Sequence, residues 1–395
     1  MTRQIARSAG NVVSFGGNLG CSMAAHKMSR AHHILSYAQS LAGGGVERAL
    51  LRLAAGWLQA GRRVTLVIGA VEGPLVAELP SASDVVVLGS AHYRAMLALP
   101  RHVAAVCPDV IFCPGSHYTS VAAWTKARLG RACPPIVGKV SNALMRPDHG
   151  RLLSAGHELW LRQHPRFLDR VVAMTPASAV AVEAAMRLPG GAVAVIPNPP
   201  AMPLPHVPLL TLPPRYLLGV GRLAPQKRWD RLVAALPLLA DQAIPLAILG
   251  EGPERAALLA QAARLGVAER LLLPGHAADP LGAMEGAAAL ALTSDFEGVP
   301  GVLREALSVG TPVVATDSAP AVAEIVASPA LGTVVPREDG AALVRALDHW
   351  LSDAARPTAV PPPGADAVER YLALFDTLVG EREGRYGRTA SGATA

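Results

Sequence analysis

The stretch that most constrains the fold runs from Leu290 to Asp317 and combines two apolar runs with one amphipathic segment. The runs at 290–294 and 313–316 are short and apolar, which is typical of strands buried on both faces of a parallel sheet. Between them, apolar residues recur with helical spacing at Val302, Leu303, Ala306 and Leu307. The stretch therefore predicts a strand–loop–helix–strand unit, the building block of a doubly wound α/β sheet.

The same alternation of apolar strands and amphipathic helices continues along most of the 395 residues, a length that predicts more than one domain. The proline-rich tract that begins at Pro197-Asn198-Pro199 and runs to Pro214 favours a stiff linker between two domains. The predicted organisation is a disordered extension at 1–30, a first domain at 31–205, a second domain at 206–360, a final helix at 361–380 and a disordered tail at 381–395.

Two glutamates lie in the stretch 290–317, Glu297 in its loop and Glu305 in its helix. Glu297 follows the first strand and Glu305 lies inside the helix, so both can face the crevice at the strands' carboxyl ends, where such sheets bind ligands. Two acids at this spacing are by themselves a weak signal, because charged residues on helices are usually solvated. The whole frame, EGVPGVLREALSVGTPVV, is much more specific: it resembles the sugar-nucleotide site of retaining glycosyltransferases of family 4.

This resemblance implies a fold and a division of labour between the domains. The expected fold is α/β of the GT-B type, with two Rossmann-like domains facing a central cleft and a C-terminal helix that returns to the first domain. The first domain would lie on the acceptor side, and the second would bind the nucleotide sugar. Fold alone does not fix activity, since GT-B epimerases and phosphorylases share this architecture.

A second motif, Gly221-Arg222-Leu223 followed by Lys227, comes directly after a predicted strand at 216–220. Gly221 allows a tight turn, and the resemblance implies that Arg222 and Lys227 hold the donor diphosphate. Negative charge grows on the diphosphate as the sugar–phosphate bond breaks, so fixed cations there stabilise the transition state more than the ground state.

The resemblance also assigns roles to the remaining donor residues. Glu305 is expected to accept hydrogen bonds from the ribose hydroxyls, and Glu297 to hold the hydroxyls of the sugar. The start of the helix presents its backbone to the sugar and diphosphate through Gly298, Val299, Pro300 and Gly301. Gly250 and Gly275 follow two further predicted strands, and their backbone groups are expected to border the nucleotide base.

In the first domain, a predicted strand at 32–39 leads into Gly43, Gly44 and Gly45 and then into a helix at 46–60. Such a loop can approach a ligand closely, and the resemblance places it over the donor phosphates and beside the acceptor. His117 follows the strand at 110–113 and is the candidate for the family's histidine near the reacting sugar, its alternative being a capping or packing role. Relatives often carry histidine after Ala60-Gly61, where this chain has Arg62 and Arg63, and no role is predicted for either arginine.

The activity that the resemblance implies is transfer of a sugar from a UDP-sugar or a GDP-sugar to a glycan, a lipid-linked or another small acceptor, with retention at the anomeric carbon. It would serve the synthesis of cell-surface polysaccharide or glycolipid. No Asp-x-Asp motif or metal-ligand cluster is visible in the sequence, so no metal or other cofactor is expected. The alternatives are a non-catalytic sugar-nucleotide-binding module, a GT-B epimerase or phosphorylase, and a retaining glycoside hydrolase, which needs paired carboxylates but no diphosphate clamp.

The net charge of +6 favours anionic partners, and no basic helix or aromatic-studded basic strand favours nucleic acid. Much of this charge lies between residues 126 and 170, where nine basic residues stand against only three acidic ones and are mixed with leucines and aromatic residues. That mixture is typical either of a solvated face or of contact with an anionic membrane. Since no apolar run is long enough to span a bilayer, the expected location is cytoplasmic, free or peripheral on the inner face of the membrane.

The four cysteines are Cys21, Cys107, Cys113 and Cys133. They show no paired spacing, and free thiols in a reducing compartment are predicted.

Overall fold

A computed structural model describes residues 30–141, 144, 150–201, 210–277, 279–352 and 355–391. The predicted extension at 1–30 lies outside these ranges apart from Arg30, as do residues 392–395 of the predicted tail. The chain divides into two compact units: unit 1 comprises 1–142, 152–199 and 364–395, and unit 2 comprises 143–151 and 200–363. The changes of unit after residues 199 and 363 lie near the predicted boundaries after 205 and 360, whose positions remain predictions.

Unit 1 is built on a parallel sheet with strands β1 (His33–Ser40), β2 (Arg63–Ala70), β3 (Asp84–Val87), β4 (Val110–Cys113), β5 (Ile136–Lys139), β6 (Arg170–Ala173) and β7 (Val193–Val195). The spatial order is β3-β2-β1-β4-β5-β6-β7. The order reverses between β1 and β4, so the crevice for a ligand opens at their carboxyl ends. The helices are α1 (Gly45–Gln59), α2 (Leu99–Val106), α3 (Thr119–Leu129), α4 (Arg151–Leu161) and α5 (Pro176–Met186).

Unit 2 is built on a second parallel sheet with strands β8 (Leu217–Val220), β9 (Leu246–Leu249), β10 (Leu271–Gly275), β11 (Ala289–Leu292), β12 (Val313–Thr316) and β13 (Gly332–Val335). Its spatial order, β10-β9-β8-β11-β12-β13, reverses between β8 and β11. The helices are α6 (Trp229–Ala235), α7 (Arg255–Arg264), α8 (Leu281–Gly286), α9 (Gly301–Ser308), α10 (Pro320–Ile325) and α11 (Gly340–Leu351). The predicted strand–helix–strand stretch is β11-α9-β12, and every residue of both strands is buried.

The last helix, α12 (Ala367–Ser391), follows unit 2 in the chain but packs against α1 of unit 1. Asp376 of this helix forms a 2.8 Å ion pair with Arg62, whose side chain is buried. Its carboxylate also accepts a 2.7 Å hydrogen bond from the backbone N–H of Ala31. The predicted return of the C-terminal helix to the first domain is confirmed. Arg62, for which the sequence predicted no role, forms a buried ion pair with the returning helix.

Two local predictions differ from the structure. The helix expected around residues 92–105 is a 3₁₀ turn over Tyr93–Ala98 followed by α2, with Pro100 in the first turn of α2, where its fixed φ favours a helix start. Residues 381–391, predicted as tail, continue α12. At the start of this extension, Glu381 pairs with Arg170 of the same unit at 2.7 Å.

The cysteines also differ in part from the prediction. Cys113 and Cys133 are buried free thiols, as expected. Cys107 is disulfide-bonded, so the prediction of a free thiol is wrong there. Spacing along the sequence does not determine which cysteines meet in space.

Candidate active site

The loop after β8 carries the two predicted diphosphate ligands of unit 2. Gly221 adopts a φ of +154°, which favours glycine, and a Cβ added there would meet Lys227 Cε at 3.2 Å. The indole Nε1 of Trp229 donates a 2.9 Å hydrogen bond to the carbonyl of Arg222, while the Arg222 side chain is exposed. Buried Trp229 thus fixes the backbone of this loop and leaves the guanidinium of Arg222 accessible to a ligand.

The loop after β11 brings Glu297 against Lys227. Lys227 Nζ lies 2.6 Å from Glu297 Oε1, and the two side chains are only 14% and 10% exposed. Ser294 donates a second 2.6 Å hydrogen bond to the same carboxylate oxygen. Since β8 and β11 are neighbours at the point where the strand order reverses, the topology itself makes these two loops adjacent.

Hydrogen bonds between the same two loops hold this arrangement. The backbone N–H of Asp295 donates to the carbonyl of Gln226 at 2.9 Å, and the Gln226 side chain donates to the carbonyl of Phe296 at 2.6 Å. The hydroxyl of Thr293, fully buried, donates to the carbonyl of Lys227 at 3.1 Å. The loops therefore form one rigid platform within unit 2.

A group of charged residues that sequence reasoning missed supports the platform from one side. Arg231 lies 2.8 Å from Asp295 and also donates to the carbonyl of Thr293 at 3.1 Å. Arg228 adopts a left-handed φ of +49° and pairs with both Asp230 and Asp295, and the bond to Asp230 chiefly raises its pKa. In the sequence, these residues are distinguished only by lying within a few residues of a predicted ligand.

Gly250 and Gly275 join the loops after β9 and β10 to the platform. The N–H of Gly250 donates to the carbonyl of Gly275 at 2.8 Å, and both residues have positive φ, at +152° and +92°. A Cβ on Gly250 would lie 2.0 Å from the carbonyl oxygen of Gly221. Glycine is required at position 250 because the backbone of the loop after β8 passes directly over it.

Gly250→Ala is therefore expected to move the loop after β8. The clash with backbone and the positive φ should cost about 1–3 kcal/mol of unfolding free energy, and binding of a nucleoside diphosphate should weaken at least about tenfold. Urea denaturation and titration calorimetry measure the two effects. Gly266→Ala is the control, because Gly266 also has a positive φ, +69°, but a Cβ there meets nothing within 4 Å. Equal nucleotide affinity in the two variants would contradict the assignment of Gly250.

Helix α9 contributes the remaining donor candidates of unit 2. It begins at Gly301, directly after Pro300, so residues 298–301 lead into its positive N-terminal end. Glu305 lies one turn into the helix and is partly buried, while Leu303, Ala306 and Leu307 face the core, as predicted. The backbone N–H of Glu297 donates to the carbonyl of Ser318 at 3.0 Å, which ties the start of this loop to the end of β12.

The candidates in the first domain lie together at the carboxyl ends of β1 and β4. His117 is exposed, its Nε2 lies 3.4 Å from the side-chain oxygen of Gln39, and its ring packs edge-on against Tyr118. Tyr118 donates a 2.9 Å hydrogen bond to Glu47 in the first turn of α1, and a Cβ on Gly44 would lie 2.5 Å from that carboxylate. The glycine loop, Gly43 to Gly45, is thereby connected to His117 through Tyr118 and Glu47.

Among the described residues, no group of three His, Cys, Asp or Glu side chains is placed to hold a metal ion. Within the same ranges, no helix has the length and hydropathy needed to cross a membrane.

Family models match both halves of the chain. The model described as Glycosyltransferase Family 4 matches residues 43–199, and the model described as Glycosyl transferases group 1 matches residues 207–360. Each match contains the candidate site residues of one domain.

Two curated relatives share parts of the sequence. The 2-deoxystreptamine N-acetyl-D-glucosaminyltransferase of Streptomyces fradiae is 34% identical over 181 residues, 42% of this chain and 42% of that protein. The N-acetylgalactosamine-N,N'-diacetylbacillosaminyl-diphospho-undecaprenol 4-alpha-N-acetylgalactosaminyltransferase of Campylobacter jejuni is 31% identical over 144 residues, 36% of this chain and 39% of that protein. The chain thus matches less than half the length of either relative.

Solved structures share the fold at low sequence identity. A mutant of S. aureus TarM in complex with Fondaparinux, alpha-GlcNAc-glycerol and UDP superposes with a TM-score of 0.68 at 11% identity, covering 90% of this chain and 99% of that one. Anabaena HepE in complex with UDP and glucose superposes with a TM-score of 0.66 at 19% identity, covering 91% and 100%. The two Rossmann-like sheets and the returning helix are those of the GT-B fold, which confirms the predicted fold class.

Proposed function

The chain belongs to the group 1, family 4 glycosyl transferases, and on this premise we propose that it transfers a sugar from a nucleotide-diphosphate sugar to an acceptor with retention at the anomeric carbon. Unit 2 takes the donor and unit 1 the acceptor. The pair of Lys227 and Glu297, 2.6 Å apart at the switch point of the second sheet, is the observation that carries the proposal. The cation can bind the diphosphate and the carboxylate can accept a hydrogen bond from a sugar hydroxyl, and these two groups are neighbours in the donor.

The residues act by binding and charge stabilisation. Lys227 and Arg222 hold the diphosphate and stabilise the charge that it gains as the sugar–phosphate bond breaks. Arginine offers a forked set of donors and lysine a point charge, so the two bind different oxygens of the same group. Glu297 orients the sugar, and Glu305 accepts hydrogen bonds from the ribose. The N-terminal end of α9 adds its dipole beside the diphosphate.

UDP carrying an N-acetylhexosamine is the donor that we propose, with GDP as the alternative base. Both curated relatives are named for transfer of an N-acetylated hexosamine, N-acetylglucosamine in one and N-acetylgalactosamine in the other. Both structures described above contain UDP. These observations support a UDP-sugar, while the choice between the two hexosamines depends on a single hydroxyl configuration in the pocket.

The acceptor that we propose is lipid-linked and reached from a membrane surface. Helix α4 exposes an apolar stripe, because Leu152 and Leu159 lie seven residues apart on one face with Leu153 beside them. These leucines are 91%, 59% and 66% exposed. Arg162 and Arg166 are exposed just beyond the stripe, so apolar and basic groups are combined as an anionic lipid surface requires. Arg146, in the same basic segment, lies outside the described residues.

A Leu152→Glu/Leu159→Glu variant is expected to lose binding to vesicles of phosphatidylglycerol at least about tenfold. Removing two leucines that would each contribute about 1.5–3 kcal/mol on burial, and adding two like-charged groups, accounts for that loss. Sedimentation with vesicles measures it. Leu238→Glu is the control, since Leu238 is 66% exposed but lies in unit 2. Equal binding of wild type and the double variant to the vesicles would contradict membrane contact through α4.

The proposed activity is tested by incubating the full chain with UDP-N-acetylglucosamine, UDP-N-acetylgalactosamine and a GDP-sugar, each with and without an undecaprenyl-diphosphate-linked sugar. We expect release of the nucleoside diphosphate that depends on the acceptor, and an α-linked product from an α-linked donor by NMR. Binding of UDP without any transfer would favour a non-catalytic module. A changed sugar with no transfer would indicate an epimerase, transfer to phosphate a phosphorylase, and sugar release from simple glycosides without nucleotide a hydrolase.

A further inference from the structure

One buried charge in unit 1 has no role in the proposed reaction. Lys139 is the last residue of β5, at the carboxyl edge of the sheet, and its side chain is 1% exposed. Lysine is among the residues least often fully buried, because its ammonium group loses its hydration there. Nζ of Lys139 donates a 3.1 Å hydrogen bond to the side-chain oxygen of Asn198.

Asn198 lies where the chain leaves unit 1. The chain passes into unit 2 after Pro199 and returns to unit 1 at Gly364. A Cβ on Gly364 would lie 2.3 Å from the carbonyl oxygen of Asn198, and Gly364 has a φ of +95°. Asn198 and Gly364, which flank these two crossings on the unit 1 side, therefore touch each other, and the ammonium group of Lys139 binds Asn198.

The charged and titratable groups that act on Lys139 come from two further elements. Glu47, in the first turn of α1, attracts the ammonium group, and the thiol of Cys113 at the end of β4 also interacts with it. Glu47 is the carboxylate that accepts from Tyr118 and lies beneath Gly44. Lys139 thus interacts both with Asn198, beside the crossing, and with the carboxylate of Glu47, beside the glycine loop.

Burying the ammonium group of Lys139 costs hydration free energy, and the need to fill space in the core does not explain why a charged residue is used. Burial lowers the pKa of Lys139 from its usual 10.5 to about 8, and Glu47 opposes the shift only in part. An apolar side chain of similar length would fill the same space without loss of hydration. Costly polar groups of this kind are concentrated at functional sites.

We infer that Lys139 is a positioning residue: its ammonium group, bound to Asn198 and attracted by Glu47, holds the glycine loop at the edge of unit 1 where the reaction takes place. The inference rests on the proposed function. It requires the charged form of Lys139, so the position of Gly43 to Gly45, and with it the rate of transfer, depends on that proton.

Lys139→Met keeps the length of the side chain and removes the charge. We expect its kcat/KM for transfer to fall at least about tenfold, with a melting temperature at pH 7 equal to or above that of the wild type, because a buried charge has been replaced by an apolar group. Wild-type kcat/KM should fall as the pH rises through about 8, the pKa of Lys139, and this alkaline decline should be absent in Lys139→Met.

Stability gives an independent measurement of the same proton. Between about pH 8 and 10.5 the folded wild type has released the proton of Lys139 and the unfolded chain still binds it. Stability contributed by this residue therefore rises with pH across that window. Urea denaturation at several pH values should show the rise in the wild type and not in Lys139→Met.

Two further variants complete the test. Lys126→Met removes a partly exposed lysine of the same unit, paired with Asp169, and should keep wild-type kcat/KM. Glu47→Gln removes the attraction that raises the pKa of Lys139, so its alkaline decline should begin below pH 8. If Lys139→Met has the same rate and pH profile as an active wild type, the inference is wrong but the proposed function is not. The same holds if the alkaline decline of Glu47→Gln begins at the same pH as that of the wild type. A wild type that transfers no sugar would overturn the proposed function and this inference with it.

Discussion

Lys227→Ala is expected to lower kcat/KM for sugar transfer about 10²–10³-fold while the chain remains folded. The ammonium group is mostly buried and lies 2.6 Å from Glu297, so it is held in place before the donor binds. A fixed charge of this kind stabilises the leaving diphosphate without reorganisation, and removing one such donor typically costs about 2.7–4 kcal/mol of transition-state stabilisation. The measurement is the initial rate of UDP release with acceptor at saturating and limiting donor.

Several variants separate this loss from a general defect. Lys227→Arg retains the charge and should recover part of the rate. Arg222→Ala and Glu305→Ala remove other predicted donor ligands and should also abolish most transfer. Arg264→Ala is the matched control, since Arg264 is an exposed basic residue of the same unit at the end of α7. Wild-type turnover in Lys227→Ala, Arg222→Ala and Glu305→Ala together would refute the site assignment.

A double-mutant cycle of Lys227→Met with Glu297→Gln tests whether the pair acts as a unit. Each single variant leaves a partly buried charge without its partner, which is itself destabilising. The double variant removes both charges, so its loss of kcat/KM should be smaller than the product of the two single losses. Additive losses would indicate that the contact between Lys227 and Glu297 plays no part in catalysis.

The features that the sequence predicted well are those that depend on local pattern. Apolar runs marked nearly every strand, and the residue that follows a parallel strand necessarily lies at the carboxyl edge of the sheet. The loops carrying Lys227 and Glu297 could therefore be assigned to one edge from sequence alone. Their contact requires in addition that β8 and β11 be neighbours, which follows from the family's strand order and not from local pattern.

The features that the sequence did not predict depend on partners distant along the chain. Arg62 pairs with a carboxylate 314 residues away, and no periodicity reports such a contact. The hydrogen bond of Lys139 to Asn198 spans 59 residues in the same way. The basic segment at 126–170 could be interpreted as solvated or as membrane-facing, because composition does not say which of its apolar residues are exposed. The exposure of Leu152 and Leu159 favours the second interpretation.

Phe375→Ala is expected to have the largest effect on stability, because α12 completes the core of unit 1. The ring of Phe375 is fully buried and lies 5.4 Å from Trp57, 6.2 Å from Phe112 and 5.9 Å from Tyr371, measured between ring centroids. Truncating a buried phenylalanine typically costs about 3–5 kcal/mol, through lost burial and the cavity that remains. For a unit of this size, that loss lowers the melting temperature by on the order of 10 °C.

Scanning calorimetry of the full chain measures this effect, and a variant from the same helix provides its control. Thr377→Ala changes an exposed residue two positions away, whose hydroxyl bonds only within α12, and should shift stability by less than about 0.5 kcal/mol. Because Trp57 and Phe112 belong to α1 and β4, the loss reaches the elements that carry the glycine loop and His117. Transfer should therefore fail at a lower temperature in Phe375→Ala than in the wild type, whereas unchanged melting would show that α12 is not required for the core of unit 1.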